Sequence, residues 1–500
     1  MKLSQHILLI RRWLSRMLAT RETLSRKQKL IIALLIFLVA FSIRSLHAVD
    51  LAPVMYSAEQ PFGGLTETYD ARAVGILEGE GLIGPYDINP RRTVWIAQAP
   101  GYSVFLSAVY KVTGRDFYKA QLFQNLINSI SPVLIFFIAG MLISWRVGII
   151  AGFISAISHH LAHISNFMLP DPLSAFPVLV AFLLLILARR APDKLWRVYL
   201  LYAAAGLMFG VAAWVRSQTM LLGIFLIPGL VIFAKQKLVM GKRALVTAAV
   251  SLLVIAPITI KNYLIYHEFV PVNFGAGIVL WEGIGEESGD RFGAVTKDEE
   301  VALQDAEFYN EPRYAGVWST PDGIMRDRDR VTRSLAIIKA HPIWYAGVMF
   351  RRANEMVEYK AHAPLVYKIS EARALEKTLP VKKTWDNLAA NSGESSLIIG
   401  KNLLYLRPVA RSLQRIIKEP MRWLIFIGAV ALMLLSVRRA WWLLLVPLYY
   451  FIFQGFMHTE FRYTLPMQYF AFTFAAVSWV LLAGLLTQAT RTIIKKFKSS

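Results

Sequence analysis

Glu67 and Asp70 stand three residues apart in the stretch TETYDARAVGIL, so a helix there would turn both carboxylates to one face. Two carboxylates so placed could take a proton or hold a divalent cation. They read equally as solvated loop acids, or as one acid favouring a helix amino terminus. Asp171 in MLPDPLSAF lies between two prolines that interrupt a helix and leave backbone groups free. Capping the helix that opens at Pro172 is its plain alternative. The stretch HTEFRYTLP gathers His458, Glu460, Arg462 and Tyr463 within six residues between two strongly apolar runs. Arg216 and Lys261 stand at the ends of other apolar runs. Arginine suits a phosphate because its planar fork donates paired hydrogen bonds. A lone basic residue at a helix end by default snorkels to lipid headgroups, and that default applies to Arg44, Arg351 and Arg352. Arg462 falls in a turn too short to need such an anchor. His159 and His163 in SHHLAHIS have the i, i+4 spacing of helix-borne metal ligands, but no Glu completes an HExxH pattern. With His160 they fit packing and interhelical hydrogen bonds better.

The elements that must carry these residues are membrane helices. Of the 500 residues 56% are hydrophobic, and they come in runs near the ~20-residue length that crosses a bilayer. This composition predicts an all-α polytopic membrane protein. The formal charge of +22 lies in short clusters between apolar runs rather than on one basic domain, which argues for topology and against nucleic acid. The absence of cysteine excludes disulfides, thiolate nucleophiles and Cys-ligated metals. The basic start, running through Lys29, is unlike a cleavable signal peptide.

Ten spans are expected, at 30–49, 120–143, 146–168, 172–189, 197–215, 218–234, 244–263, 421–437, 440–457 and 465–486. The connections at 1–29, Arg146, 189–197, 235–243, 438–439 and 487–500 are all basic, which places them and both termini in the cytoplasm. The opposite segments, 50–119 and 264–420, are then extracytoplasmic, as are the turns holding Asp171, Arg216 and Arg462. The expected organisation is a basic cytoplasmic segment (1–29), a bundle (30–263) with its outer loop (50–119), an outer region (264–420), carboxy-terminal membrane helices (421–486) and a basic tail (487–500). APGYSVFLSAVYKV is too short to span and predicts an interfacial or re-entrant helix. RSLAIIKAHPIWYAGVMFRRANEMV predicts an amphipathic helix on the outer surface.

In order along the chain, YDARAVGILEGEGL, APGYSVFLSAVYKVTG, MLPDPLSAF, WVRSQTMLL, APITIKNYLIYHEFVPVNFGAGIVLWEG, AHPIWY and HTEFRYTLP resemble the GT-C superfamily of polyprenyl-phosphate-sugar-dependent glycosyltransferases. The resemblance covers most of residues 30–490 and is nearest to the bacterial branch similar to protein mannosyltransferases and to the aminoarabinose transferase of lipid A. It implies a GT-C-type bundle and transfer of a monosaccharide from a polyprenyl-phosphate donor to a glycan, lipid or protein acceptor at the outer face of the cytoplasmic membrane. It implies a base among Glu67 and Asp70, beside Tyr69, and an active-site acid at Asp171. It also implies donor phosphate recognition by Arg462, Arg216 and Lys261, with His458, Glu460 and Tyr463 in support. No cofactor is certain, but a divalent metal at Glu67, Asp70 and Asp171 is compatible with it. Family members often carry an acid four positions before the residue matching Tyr69, where this chain has Leu65. Two other classes share parts of the pattern. An O-antigen ligase or polymerase would use a diphosphate-linked oligosaccharide, and a secondary transporter would place ionisable groups and broken helices near mid-membrane. The polar residues here concentrate instead at outer span ends.

Overall fold

The computed structural model describes residues 2–18, 24–56, 64–82, 96–191, 195–316, 318–319, 322–359 and 406–499, and every regular element among them is a helix. The first are α1 (Lys2–Leu18), α2 (Arg26–Tyr56), α3 (Gly64–Leu77), α4 (Gly101–Thr113), α5 (Phe117–Asn128), α6 (Ile130–Leu142), α7 (Trp145–Ile157) and α8 (His159–Ile164). The bundle continues with α9 (Asp171–Arg190), α10 (Leu195–Val215), α11 (Leu222–Ile232) and α12 (Lys237–Tyr266). An outer layer follows: α13 (Ala276–Ser288), α14 (Asp298–Phe308), α15 (Gly323–Ala340) and α16 (Pro342–Val357). The chain closes with α17 (Leu406–Leu435), α18 (Val437–Phe456) and α19 (Leu465–Ser499).

Six segments among the described residues are long and apolar enough to cross a membrane: Arg26–Ala48, Phe117–Leu142, Asp171–Arg190, Leu195–Val215, Lys237–Tyr266 and Phe461–Ile494. Three of the other expected spans are shorter apolar helices, Trp145–Ile157, Ser217–Ile232 and Pro420–Leu435. The tenth falls on α18, where Arg438, Arg439 and two tyrosines dilute the apolar run. Leucines exposed along α2, such as Leu30, Leu34 and Leu38, form the kind of surface that hydrocarbon rather than water would cover.

The expected span 146–168 is not one helix. It breaks at Ser158, whose backbone leaves the helical region and whose hydroxyl accepts from the Leu161 amide to start α8. A break inside a bundle frees carbonyls that lipid cannot satisfy. Beyond the end of α8, where the backbone is again irregular, side-chain amides from α5 take up the carbonyls: Gln124 donates to those of Ser165 and Phe167, and Gln121 to that of Asn166, each at 2.7 Å. Arg44 joins the same network, donating to Ser165 Oγ at 3.2 Å and to the Ala40 and Ala156 carbonyls at 3.2 and 3.4 Å. It is completely buried, so it does not snorkel.

The outer layer has its own apolar core around Ile278, Trp281, Ile284, Tyr345 and Val348. The expected single amphipathic helix here is two, because Pro342 cannot continue α15 and instead opens α16 at its first position. Arg352 ties this layer to the bundle. It is 2% exposed and donates to the carbonyls of Gly455, Met457 and Gly283 at 3.2, 2.9 and 2.5 Å. It too is a bridge rather than a snorkelling residue, whereas exposed Arg351 pairs with Glu287 at 2.6 Å. Gly283 must be glycine for this bridge: a Cβ there would meet the Met457 carbonyl oxygen at 2.3 Å. APGYSVFLSAVYKV does form a short helix, α4, which packs on α3 and α10. Its Gly101 lets it abut the Trp214 carbonyl oxygen, which a Cβ would approach to 2.5 Å.

Candidate active site

The end of α10, the start of α9 and the α18–α19 turn meet at one end of the bundle. Asp171 opens α9 but caps nothing. Pro170 holds the cap position with no side-chain bond, and the Asp171 carboxylate, 2% exposed, pairs with Arg216 Nη2 at 3.1 Å. The capping alternative therefore fails, and Asp171 instead fixes a guanidinium. Arg216 in turn lies over the Tyr463 ring at 4.7 Å, and Arg462 lies over the same ring at 4.9 Å. Two cations share one aromatic ring, each with a carboxylate: Asp171 for Arg216 and Glu460 for Arg462.

Arg462 donates to Glu460 through Nε at 2.5 Å and Nη2 at 3.2 Å, and through Nη2 to the Tyr463 hydroxyl at 2.9 Å. One edge of its fork is thus spent on orientation. His458 continues the chain, with Nδ1 2.8 Å from Glu286 and Nε2 3.6 Å from Glu460. Burial opposes charge on His458, but the hydrogen bonds and charges of Glu286 and Glu460 outweigh it and lift its pKa to about 9. Burial likewise opposes the Glu460 carboxylate, and His458 and Arg462 overcome this and hold it down at about 2. The expected grouping of His458, Glu460, Arg462 and Tyr463 is thus a single network, joined by Arg216 and Asp171. Arg216 Nε is a buried donor in it with no hydrogen-bond acceptor among the described residues.

The other expected residues occupy the flanks. Glu67 and Asp70 do lie on one helix, α3, but the Glu67 side chain is outside the described residues. Asp70 is 3% exposed and turns to α4 and the loop behind it. It accepts from Tyr110 Oη at 2.8 Å and from Arg115 Nε and Nη2 at 3.3 and 2.5 Å. Its neighbour Tyr69 faces the cluster. Burial and the Asp171 charge raise its pKa to about 12, against the lowering pull of Arg216, Arg72 and Arg462. Lys261 donates to the Leu82 carbonyl at 2.7 Å, the same oxygen that accepts from Arg72 at 3.2 Å. The structure therefore places Lys261 with Arg72 rather than in the Arg216–Arg462 network.

Sequence reasoning missed Arg72, Glu286 and Glu282. Burial first, then a hydrogen bond and the charge of Asp298, raise the Glu282 pKa to about 9, against the lowering pull of His458. Glu286 and Glu282 lie one turn apart on α13, and only the tertiary approach of that helix to the 458–464 turn gives them a role. The histidine stretch packs as expected: His159 Nδ1 meets His47 Nε2 across helices at 3.1 Å, and His160 packs on Tyr359 and Phe461. Among the described residues no three His, Asp or Glu side chains converge to hold a metal ion. Asp70 and Asp171 each pair with an arginine, and the Glu67 side chain lies outside the described residues.

Comparisons with known proteins bear on the fold. Residues 97–260 match the family of dolichyl-phosphate-mannose-protein mannosyltransferases, a range that takes in Asp171 and Arg216. No curated protein matches the sequence significantly. Among solved structures, the oligosaccharyltransferase AglB from Archaeoglobus fulgidus, in complex with an inhibitory peptide and a dolichol-phosphate, is similar with a TM-score of 0.50 and 12% identity, over 91% of this chain and 52% of that one. The oligosaccharyltransferase of the same organism in complex with Zn and sulfate gives 0.48 and 12%, over 92% and 51%. ArnT from Cupriavidus metallidurans in the apo state gives 0.35 and 12%, over 89% and 76%. The chain spans about half the length of the oligosaccharyltransferase it matches. Its likeness is one of fold, spread over nearly all of this chain, and the fold is the GT-C type of polytopic membrane protein.

Proposed function

We propose that the protein is an integral-membrane glycosyltransferase that moves a monosaccharide from a polyprenyl-phosphate donor to a glycan, lipid or protein acceptor at the outer face of the cytoplasmic membrane. The observation that carries this reading is the pair of guanidiniums on Tyr463, with the buried Arg216 Nε–H left without a protein acceptor. Carboxylates already fix one side of each arginine. An arriving phosphate would take the remaining N–H groups without any reorganisation of the cations.

In this reaction the acceptor oxygen attacks the anomeric carbon, the bond from that carbon to the phosphate oxygen breaks, and polyprenyl phosphate leaves. Arg216 and Arg462 stabilise the charge that grows on the phosphate. The acceptor proton passes to a carboxylate of α3. Asp70 already accepts three hydrogen bonds, which favours Glu67 as the base and leaves Asp70 to anchor α3 against α4. Attack opposite the leaving phosphate would invert the anomeric carbon. The Lys and Arg bias of the opposite connections puts the Asp171–Arg216–Arg462 end outside.

Purified protein given defined polyprenyl-phosphate monosaccharides and an acceptor extract should release polyprenyl phosphate and label the acceptor. Equal labelling from a nucleotide sugar, with no lipid carrier present, would refute the donor class. Phosphatase-type reporter fusions at residues 90 and 300 should be active; activity only at 193 and 240 would move the site to the wrong side. Mass spectrometry of lipid-linked sugars and surface glycans in a deletion strain would identify sugar and acceptor.

A further inference from the structure

At the opposite end of the bundle the carboxy-terminal turns of α9 and α11 meet the first turns of α12 and α18 around a cavity of about 270 Å³. Arg189, Lys235, Arg243 and Arg438 line it, and none of its described lining residues is acidic. Its apolar wall includes Phe233 and Trp442, and the Arg189 guanidinium lies over the Trp442 ring at 5.4 Å. Arg189 is the last residue but one of α9, whose first residue is Asp171. At 1.5 Å per residue the cavity lies roughly 27 Å from the candidate active site, across the thickness of the membrane.

Topology alone asks only for basic residues on these connections, and they could point apart into water. Here four converge on one hollow, where like charges repel at close range unless an anion enters. Arg243 Nε is buried with no hydrogen-bond acceptor. The helix that carries it, α12, starts at the cavity with Gln236 in the cap position making no side-chain cap, so its first amides add a second attraction for an anion. Next along the chain to the lining residues Phe233 and Val239, Ile232 and Leu238 are 52% and 75% exposed. A soluble anion would gain nothing from them; acyl chains would.

We propose that this cavity binds the phosphate headgroup of an anionic phospholipid from the leaflet that faces the basic connections. The volume accommodates a phosphate with its glycerol carbons, Arg243 and Arg438 grip the oxygens, and the acyl chains run past Ile232 and Leu238. The site is independent of the reaction proposed for the other end and uses none of its residues.

The test is native mass spectrometry of the full-length protein in a nonionic detergent, with phosphatidylglycerol and phosphatidylcholine of identical acyl chains added in turn. Phosphatidylglycerol should be retained in preference to phosphatidylcholine. The pair Arg243→Gln and Arg438→Gln should weaken that retention about tenfold or more. A control pair on the exposed start of α2, Arg26→Gln and Lys27→Gln, should leave it within about twofold, as expected of surface charge. Should the cavity pair not elute as a monodisperse protein, Lys235→Gln in the connection before α12 carries the test, with a loss of about threefold. Equal retention of the two lipids, unchanged retention in the cavity variants, or an equal loss in the control pair would overturn the proposal. Displacement of the lipid by glycerol phosphate at similar concentration would also overturn it, since the occupant would then be a soluble phosphate.

Discussion

Replacing Arg462 separates a phosphate grip from an ordinary turn. Its Nε and Nη2 hold Glu460 at 2.5 and 3.2 Å, and Nη2 also reaches the Tyr463 hydroxyl at 2.9 Å. The shift of Glu460 from 4.5 to about 2 corresponds to about 3 kcal/mol favouring its charged form, shared between His458 and Arg462. Arg462→Ala leaves Glu460 with His458 alone and removes one charge-assisted contact to the donor phosphate, which is worth roughly 1.5 to 3 kcal/mol, or about ten- to a hundredfold in donor affinity. Arg462→Lys keeps a cation over the ring but cannot supply both bonds to Glu460 and a third to phosphate, so it should recover only part of that loss. The assay is titration of a synthetic polyprenyl-phosphate sugar against purified variants, with turnover measured alongside and thermal unfolding as a check on folding. If folded Arg462→Ala binds and turns over the donor as the wild type does, the guanidinium pair is a structural feature of the turn and the assignment of this site falls.

Four further outcomes follow from the same geometry. Glu67→Gln should keep donor binding and lose turnover, because a base acts only as the nucleophile attacks; an unchanged rate would remove it from the mechanism. Asp70→Asn should instead lower unfolding stability by about 1 to 2 kcal/mol through its buried bond to Tyr110, with the exposed Arg115 partner adding little. Gly283→Ala should force the Met457 carbonyl away from α13 and lower stability by about 1 to 3 kcal/mol, together with turnover, since Met457 precedes His458; wild-type unfolding and activity would refute the packing. For His458, whose pKa is raised to about 9, the stabilisation is complete below its ordinary 6.5 and fades as pH climbs through 9. Wild-type melting temperature should therefore fall between pH 7 and 10 more steeply than that of His458→Gln, and parallel curves would contradict it.

Periodicity and run length made most of the membrane helices legible, because a bilayer imposes one length and one chemistry on whatever crosses it. The breaks were not legible. Nothing in AISHHLAHISNF marks Ser158 as a helix end, because the break is tolerated only where residues of two other segments take up open carbonyls, Arg44 that of Ala156 at the break and Gln121 and Gln124 those beyond α8. Pro342 was readable as a boundary, and the apolar spacing on either side obscured it. The polar residues at span ends were visible as candidates, but their partners were not. Asp171 and Arg216 are 45 positions apart and Arg462 is far beyond both, so their convergence on Tyr463 is a property of packing alone.

Two of the three arginines read from sequence as headgroup anchors show how the site holds its shape. A charge at a span end costs little if it reaches water, so the sequence gives no reason to bury one. Arg44 and Arg352 are nonetheless buried, and each answers backbone carbonyls at an irregular stretch: Arg44 where α7 gives way to α8, and Arg352 where α18 gives way to the 458–464 turn. A guanidinium offers five donors in a rigid fork, so one side chain can satisfy several carbonyls that a helix end leaves open. Irregular backbone beside a membrane is stable only with such partners. A polar turn shaped for a ligand needs irregular backbone, because a continuous helix would carry His458, Glu460 and Arg462 around its circumference rather than onto one ring. The buried arginines are therefore the structural condition for the chemistry proposed at the turn, and Arg352→Met should cost donor binding through the turn it holds even though it touches no part of the Arg216–Arg462 pair.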